Sequence, residues 1–206
     1  MTSPGTADPD AVLAPWRSRW GLVPDGDAFA TPSSVLQPVR RDGVPAYLKL
    51  ATVAEEVAGG RVLRWWAGRG AAAVLAADGD ALVLERAGGL RDLAALAASG
   101  ADGDETATRI LCRAALRLHA VDHLPRPEGL VGLRRWFGEL FEHAAVHPTG
   151  HGGLFARAAS EAEALLAEPA GDVVLHGDLH HGNVLDFGDA ERGGRGWLAI
   201  DPKHIH

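Results

Sequence analysis

The spacing of apolar positions changes character along the chain, and each change marks an element. Asp10 to Trp20 carries Trp16 and Trp20 four apart, which predicts a short leading helix. Val35 to Arg40 and Ala46 to Leu50 then alternate apolar and polar residues around Arg41-Asp42-Gly43, the signature of a β-hairpin. From Thr52 to Ala67 the period becomes helical, with Glu56, Gly60, Leu63 and Ala67 on one face. Glu55 falls to the side, toward Gly59 and Val62. Ala72 to Ala77 and Ala81 to Glu85 flank Asp78-Gly79-Asp80 as a second hairpin. The second of these strands runs on into Arg86-Ala87-Gly88-Gly89, a flexible joint.

Beyond the joint the pattern is mainly helical. Helices are predicted over Leu90 to Ala98, Glu105 to Ala120, Leu130 to Ala145 and Leu154 to Leu166. Gly100 to Gly103 reads as a linker, and His147 to Gly153 as a breaker-rich loop. In the longest helix, Ile110, Leu111, Ala114, Ala115 and Leu118 form the apolar side, and Cys112 is expected to pack in the core. Trp136 and Phe137 are expected to do the same. Three short apolar runs close the sequence: Val173 to Leu175, Val184-Leu185 and Trp197 to Ile200, all read as small strands.

The polar residues between those last runs carry the chemistry. His176-Gly177-Asp178 is followed by Asn183 and, after the last run, by Asp201. A hydroxyl is a poor nucleophile at neutral pH, and Asp178 could orient one and accept its proton. Magnesium takes hard oxygen ligands, and Asn183 and Asp201 would supply one neutral and one anionic oxygen. This is the donor set of phosphoryl transfer from ATP. Gly177 and Gly182 let the loop turn sharply beside phosphates. His176 is expected to brace the loop. A zinc reading of the histidines lacks nearby cysteine and a His-x-x-x-His pair in this segment.

Such a site needs a cation for the α- and β-phosphates. Lys49 sits in an alternating strand and is the only lysine before Lys203, although Lys and Arg together number 20. In an arginine-using chain, a strand lysine suggests that a point charge is wanted. Glu56 is the better placed partner for Lys49, with Glu55 as the alternative. The joint would offer adenine the Glu85 carbonyl and the Ala87 amide. Thr31-Pro32-Ser33-Ser34 stands where a loop would cover the phosphates, with Ser33 and Ser34 as contacts. No Gly-x-x-x-x-Gly-Lys is present, which argues against a P-loop enzyme.

These residues resemble the aminoglycoside phosphotransferase family, in its streptomycin 6-kinase and hydroxyurea phosphotransferase branch. The likeness runs through Leu48-Lys49, the Glu55-Glu56 helix to Trp65-Trp66-Ala67-Gly68-Arg69-Gly70-Ala71, Leu82 to Ala87, Leu175 to Asn183, and Gly196 to Lys203. It implies an α+β, protein-kinase-like two-lobed fold. The N-lobe would be an antiparallel sheet with one helix over 11–87, binding ATP, after a disordered tail over 1–10. The C-lobe would be mainly helical over 88–206, with a catalytic loop at 176–183 and a metal-binding Asp201. The implied reaction is ATP- and Mg2+-dependent phosphorylation of a small hydroxylated molecule, aminoglycoside-like, with Asp178 as proton acceptor and Lys49 as phosphate-binding lysine. Members of the branch continue past the Ile-Asp-Pro strand with helices that complete the acceptor pocket. A fragment or truncated chain with an incomplete C-lobe is therefore expected, and a catalytically silent nucleotide-binding fragment is the alternative.

Composition narrows the picture. A net charge of −7 argues against a nucleic-acid partner and is compatible with a cationic substrate. No apolar run reaches membrane-spanning length, no signal pattern opens the chain, and one cysteine allows no internal disulfide, so a cytoplasmic protein is expected. Oligomeric state is not legible.

Overall fold

A computed structural model describes residues 8–122, 125–169 and 171–206. Most of the expected tail, residues 1–7, lies outside the described residues. The chain becomes regular at Asp8, whose carboxylate accepts the Asp10 N–H and caps helix α1 (Pro9–Trp20). Gly21, at φ 60°, ends it in the left-handed conformation.

Two short strands follow, β1 (Val23–Pro24) and β2 (Phe29–Ala30), then the long hairpin β3 (Ser34–Arg41) and β4 (Val44–Ala51). Arg41 faces Val44, so Asp42-Gly43 is the whole turn, with φ of 51° and 80°. That is the two-residue turn whose twist matches its strands. Helix α2 (Ala54–Trp66) begins three residues after β4, then β5 (Val74–Asp78) and β6 (Ala81–Glu85) complete an antiparallel sheet ordered β1-β3-β4-β6-β5, with β2 also on β3. Strand alternation in β4 sends Ala46 and Leu48 to one face, where they pack with Val39, Val83 and Leu13 of α1. It sends Tyr47 and Lys49 to the other face, opposite Leu84 and Leu82 of β6.

Irregular chain from Arg86 to Asp92 leads to α3 (Leu93–Ala97), α4 (Ala101–His119), α5 (Leu133–Trp136), α6 (Gly138–Val146) and α7 (Leu154–Ala167). The small sheet of β7 (Val184–Asp186) and β8 (Trp197–Ala199) is antiparallel. Val62, Leu63 and Trp66 of α2 pack with Leu118, Val174 and Ala199, which seats α2 on the helical lobe.

Several expectations are corrected. The helix expected from Leu90 starts only at Leu93, because Asp92 is extended and caps the Ala95 N–H at 2.9 Å. The Gly100 to Gly103 linker is instead the start of α4. A Cβ on Gly103 would lie 2.2 Å from Ser99 Oγ and 2.3 Å from the Leu96 carbonyl, so glycine serves helix packing there. Leu130 to Ala145 is two helices broken at Phe137 (φ −84°, ψ 9°), and Val131 is held extended by bonds to His204 and His206. Val173 to Leu175 forms no strand; Leu175 makes a single bridge to Ile205. Cys112 is exposed rather than packed in the core.

Candidate functional site

The face of β4 that carries Lys49 looks across a cleft at the β7–β8 hairpin. Lys49 Nζ lies 2.6 Å from Glu56 Oε2 on α2 and 2.5 Å from Asp201 Oδ1, just past β8. Glu56, not Glu55, therefore partners Lys49. Glu55 is 3.1 Å from the ammonium of Lys203, which is also 4.0 Å from Glu56 Oε1. Asp201 is held at φ 57°, a left-handed conformation that Asp tolerates better than most residues. Burial works to raise its carboxyl pKa, but the charge and hydrogen bond of Lys49, helped by Lys203, outweigh it and hold the group below its ordinary value. Burial tends to lower the Lys203 pKa, and the Glu55 hydrogen bond and the surrounding carboxylates raise it overall.

The loop from His176 to Asn183 is rigid for identifiable reasons. His176, 3 % exposed, stacks on Trp66 with ring centroids 6.1 Å apart. Its Nε2 is 2.7 Å from the Ile200 carbonyl, so Nε2 carries the proton and Nδ1 accepts the Asp178 N–H at 3.3 Å. Burial lowers its pKa, against the Ile200 hydrogen bond and the nearby Asp178 and Asp201 charges, which keeps the ring neutral. Gly177, at φ 76°, is pressed so close to Lys203 and Ile205 that a Cβ would lie 2.4 Å from Ile205 Cδ1. Asn183 donates from Nδ2 to the Asp178 carbonyl at 2.9 Å and is 9 % exposed. Asp178 itself is half exposed, with the His180 ring 4.0 Å from its carboxylate. Lys49 and Asp201 line the cleft, Glu56 holds Lys49, and the Ile200 N–H donates to the Asn183 carbonyl, which ties the Asp178–Asn183 loop to the strand end that carries Asp201.

The cleft encloses about 550 Å³. Leu36, Tyr47 and Leu84 form its upper wall, Leu185, Phe187 and Ile200 its lower wall. An apolar slot of this size between two sheets suits a flat heterocycle. Glu85 and Ala87 line its inner end. The Glu85 carboxylate is pinned by Arg195 and by the Ala73 N–H. Ser33 and Ser34 also line the cleft, but Ser34 is 1 % exposed and its hydroxyl lies 3.5 Å from Glu56 Oε2. Ser34 therefore backs Glu56, and Ser33 is the more accessible of the two.

Sequence reasoning missed the clip that fixes the joint. Asp186, 4 % exposed, receives two bonds from the Arg91 guanidinium (2.8 and 2.7 Å), and the Arg91 and Gly188 amides add two more. The Arg91 bond is the main reason its pKa falls to about 2. Gly89 passes so close that a Cβ would meet Asp186 Cγ at 2.0 Å. No short-range pattern announces a pair 95 residues apart. Lys203 was visible only as a residue of the terminal motif.

The donor set fits magnesium. Asn183 commits its amide nitrogen to Asp178, leaving an oxygen, and Asp201 binds Lys49 through one carboxylate oxygen only. Two ammonium groups, Lys49 and Lys203, meet three carboxylates, Glu55, Glu56 and Asp201. A triphosphate would be repelled from that balance without a divalent cation. Among the described residues, no group of three or more His, Cys, Asp or Glu is placed to hold a metal. No helix of the described residues is long and apolar enough to cross a membrane.

An antiparallel sheet with an inner helix over a helical lobe, meeting at a cleft that holds a Lys–Glu pair, is a kinase-like fold. A chain described provisionally as a fructosamine-3-kinase from Thermobifida fusca superimposes with a TM-score of 0.50 at 18% identity, over 96% of this chain and 75% of that one. Residues 19–206 match the profile of the aminoglycoside/hydroxyurea antibiotic resistance kinase family, and the chain belongs to that family. A streptomycin 3''-kinase of Klebsiella pneumoniae is 51% identical over 89% of this chain and 64% of its own length. A streptomycin 6-kinase of Streptomyces griseus is 37% identical over 95% of this chain and 62% of its own. The chain thus spans a little over three fifths of the length of these relatives.

Proposed function

We propose that this chain carries the nucleotide site and catalytic loop of an ATP-dependent phosphotransferase acting on a hydroxyl of a streptomycin-like aminoglycoside. The observation that carries this reading is Lys49, clamped between Glu56 and Asp201 at one end of an apolar cleft. The Asp178–Asn183 loop is braced from behind by His176. The names of the relatives supply the acceptor class, and the higher identity to the 3''-kinase favours the hydroxyl for which that protein is named. A net charge of −7 favours encounter with a polycation.

In this reading the walls of the cleft sandwich adenine, and the joint at Glu85 and Ala87 offers it backbone groups. Lys49 exchanges Asp201 for the α- and β-phosphates while Glu56 keeps the ammonium aimed. Asn183 and Asp201 would hold magnesium, which when bound neutralises charge on the phosphates. Asp178 orients the acceptor hydroxyl. As the oxygen–phosphorus bond forms and the bond to ADP breaks, Asp178 takes the hydroxyl proton. His176 stays neutral and donates to the Ile200 carbonyl, so it holds the loop rather than shuttling the proton.

The test is streptomycin-dependent ADP release with Mg2+, alongside Asp178→Asn. That variant keeps its shape and loses the base, so kcat should fall by roughly 10²–10⁴ while ATP affinity holds. The position of the phosphate on the product identifies the hydroxyl. Undiminished turnover in the variant, or ADP release indifferent to streptomycin, overturns the reading.

A further inference from the structure

The chain has lysine at positions 49 and 203 and nowhere else, among 20 basic residues. Both lysines meet the same acidic pair at the start of α2. Glu56 reaches Lys49 with Oε2 at 2.6 Å and approaches Lys203 with Oε1 at 4.0 Å, while Glu55 binds Lys203 at 3.1 Å. The result is a chain of alternating charge, Lys49–Glu56–Lys203–Glu55, running from the cleft to the back of α2.

Lys203 is rooted in the catalytic lobe. Its N–H donates to the His176 carbonyl at 2.7 Å, and its Cβ packs beside Gly177. It follows Asp201 by two residues, and between them Pro202 touches α2. A Cβ on Gly59 would sit 2.2 Å from the Pro202 carbonyl, so the helix backbone rests directly on that oxygen. The segment Asp201-Pro202-Lys203 is therefore the seat of α2.

We propose that Lys203 is a positioning residue. It latches Glu55 and Glu56 to the catalytic loop and so sets where Glu56 holds Lys49. This rests on the functional reading above and deepens it. Lys49 and Asp201 are bound to each other at 2.5 Å in this structure, yet phosphates and magnesium must each claim one of them. That contact opens on loading. Neither Lys203 nor Glu55 lines the cleft, so their pair persists when the Lys49–Asp201 pair is lost. The latch is then the ionic link that keeps α2 in register with the loop during turnover. Arginine in its place would keep the stem beside Gly177 and the charge that holds Glu55.

Two lysines give two side-chain ammonium NMR signals, and Lys203→Arg leaves one, which assigns Lys49. In Lys203→Met the Lys49 signal should shift. Streptomycin-dependent kcat/KM should fall about tenfold, as for supporting partners of metal-site residues. Lys203→Arg should recover most of it. Glu55→Gln, a change on the exposed side of α2, should give the same shift and a smaller loss, and it serves if Lys203→Met does not fold. A Lys49 signal and a kcat/KM unmoved by both variants overturn the proposal. If the wild-type protein itself shows no streptomycin-dependent turnover, the functional reading fails, and the Lys49 signal alone still decides for or against the latch.

Discussion

Gly59 and Gly60 are adjacent, buried and helical, and the structure predicts opposite outcomes for the same substitution in them. Replacing a helix-interior glycine by alanine favours folding by about 1 kcal/mol. Opposing this is what the new methyl meets. At Gly59 it lies 2.2 Å from the Pro202 carbonyl oxygen, a backbone atom next to the constrained Asp201. An ordinary carbon–oxygen contact is about 3.4 Å, so α2 must retreat by roughly 1 Å. Overpacking of this kind costs about 1–3 kcal/mol, and an unyielding backbone places it near the top of that range. Gly59→Ala should thus destabilise by about 2 kcal/mol net, a fall of roughly 4–8 °C in Tm. At Gly60 the methyl meets Leu82 Cδ1 at 2.9 Å, the far end of a side chain that can rotate. There the helix gain survives, and Tm should hold or rise by about 2–4 °C.

The catalytic consequence differs more. A 1 Å retreat of α2 stretches the 2.6 Å Lys49–Glu56 bond out of hydrogen-bond range. Misplacement on that scale lowers kcat/KM by about 100-fold. Thermal unfolding and streptomycin-dependent ADP release, run side by side on both variants, check the pair. Equal Tm and equal turnover in the two would refute the claim that α2 is seated on Pro202.

Asp186→Ala should cost about 1–3 kcal/mol in urea unfolding, since it removes the acceptor of two guanidinium and two amide hydrogen bonds and frees the joint, while Arg91, 55 % exposed, returns to water. Because the Asp186 pKa is depressed to about 2, its contribution is full above the ordinary value of 3.8 and is lost as pH falls through about 2. The gap between wild type and variant should therefore close over that window. The buried His176 has a pKa below its ordinary 6.5, so the unfolded chain binds its proton first as pH falls, and stability drops below pH 6.5. His176→Asn should flatten that decline; an unchanged slope rules His176 out as its source. Lys49→Arg places a planar fork between carboxylates only 2.6 and 2.5 Å from the original ammonium, and turnover should fall about 100-fold despite the retained charge.

The residues of the candidate site stand out because each sits in a short, self-announcing context. Asp42-Gly43 fixes the β3–β4 register, and strand alternation then commits Lys49 to the cleft face. Helical phase alone separates Glu56 from Glu55. The loop from His176 to Asn183 shows its chemistry in its residue order. What escaped depends on partners distant in sequence. Val131 and Leu175 look like parts of a helix and a strand, yet both are claimed by residues 203–206. Gly103 looks like a linker until Ser99 and Leu96 are brought beside it. Cys112 shares the apolar character of its helix but lies on its outer side. The Arg91–Asp186 clip joins two segments 95 residues apart.

The Lys49–Asp201 bond closes a loop of 152 residues. Contacts inside the N-terminal sheet are local by comparison, so β3, β4, α2 and β6 can condense while later residues are still being synthesised. During that interval Lys49 and Glu56 can pair, but the seat of α2, Asn183 and Asp201 do not yet exist. A nascent chain would thus hold no competent triphosphate trap, and nucleotide affinity would be a late acquisition. Nucleotide would then bind the finished fold far better than any partly made one, and its presence would draw the last docking step to completion.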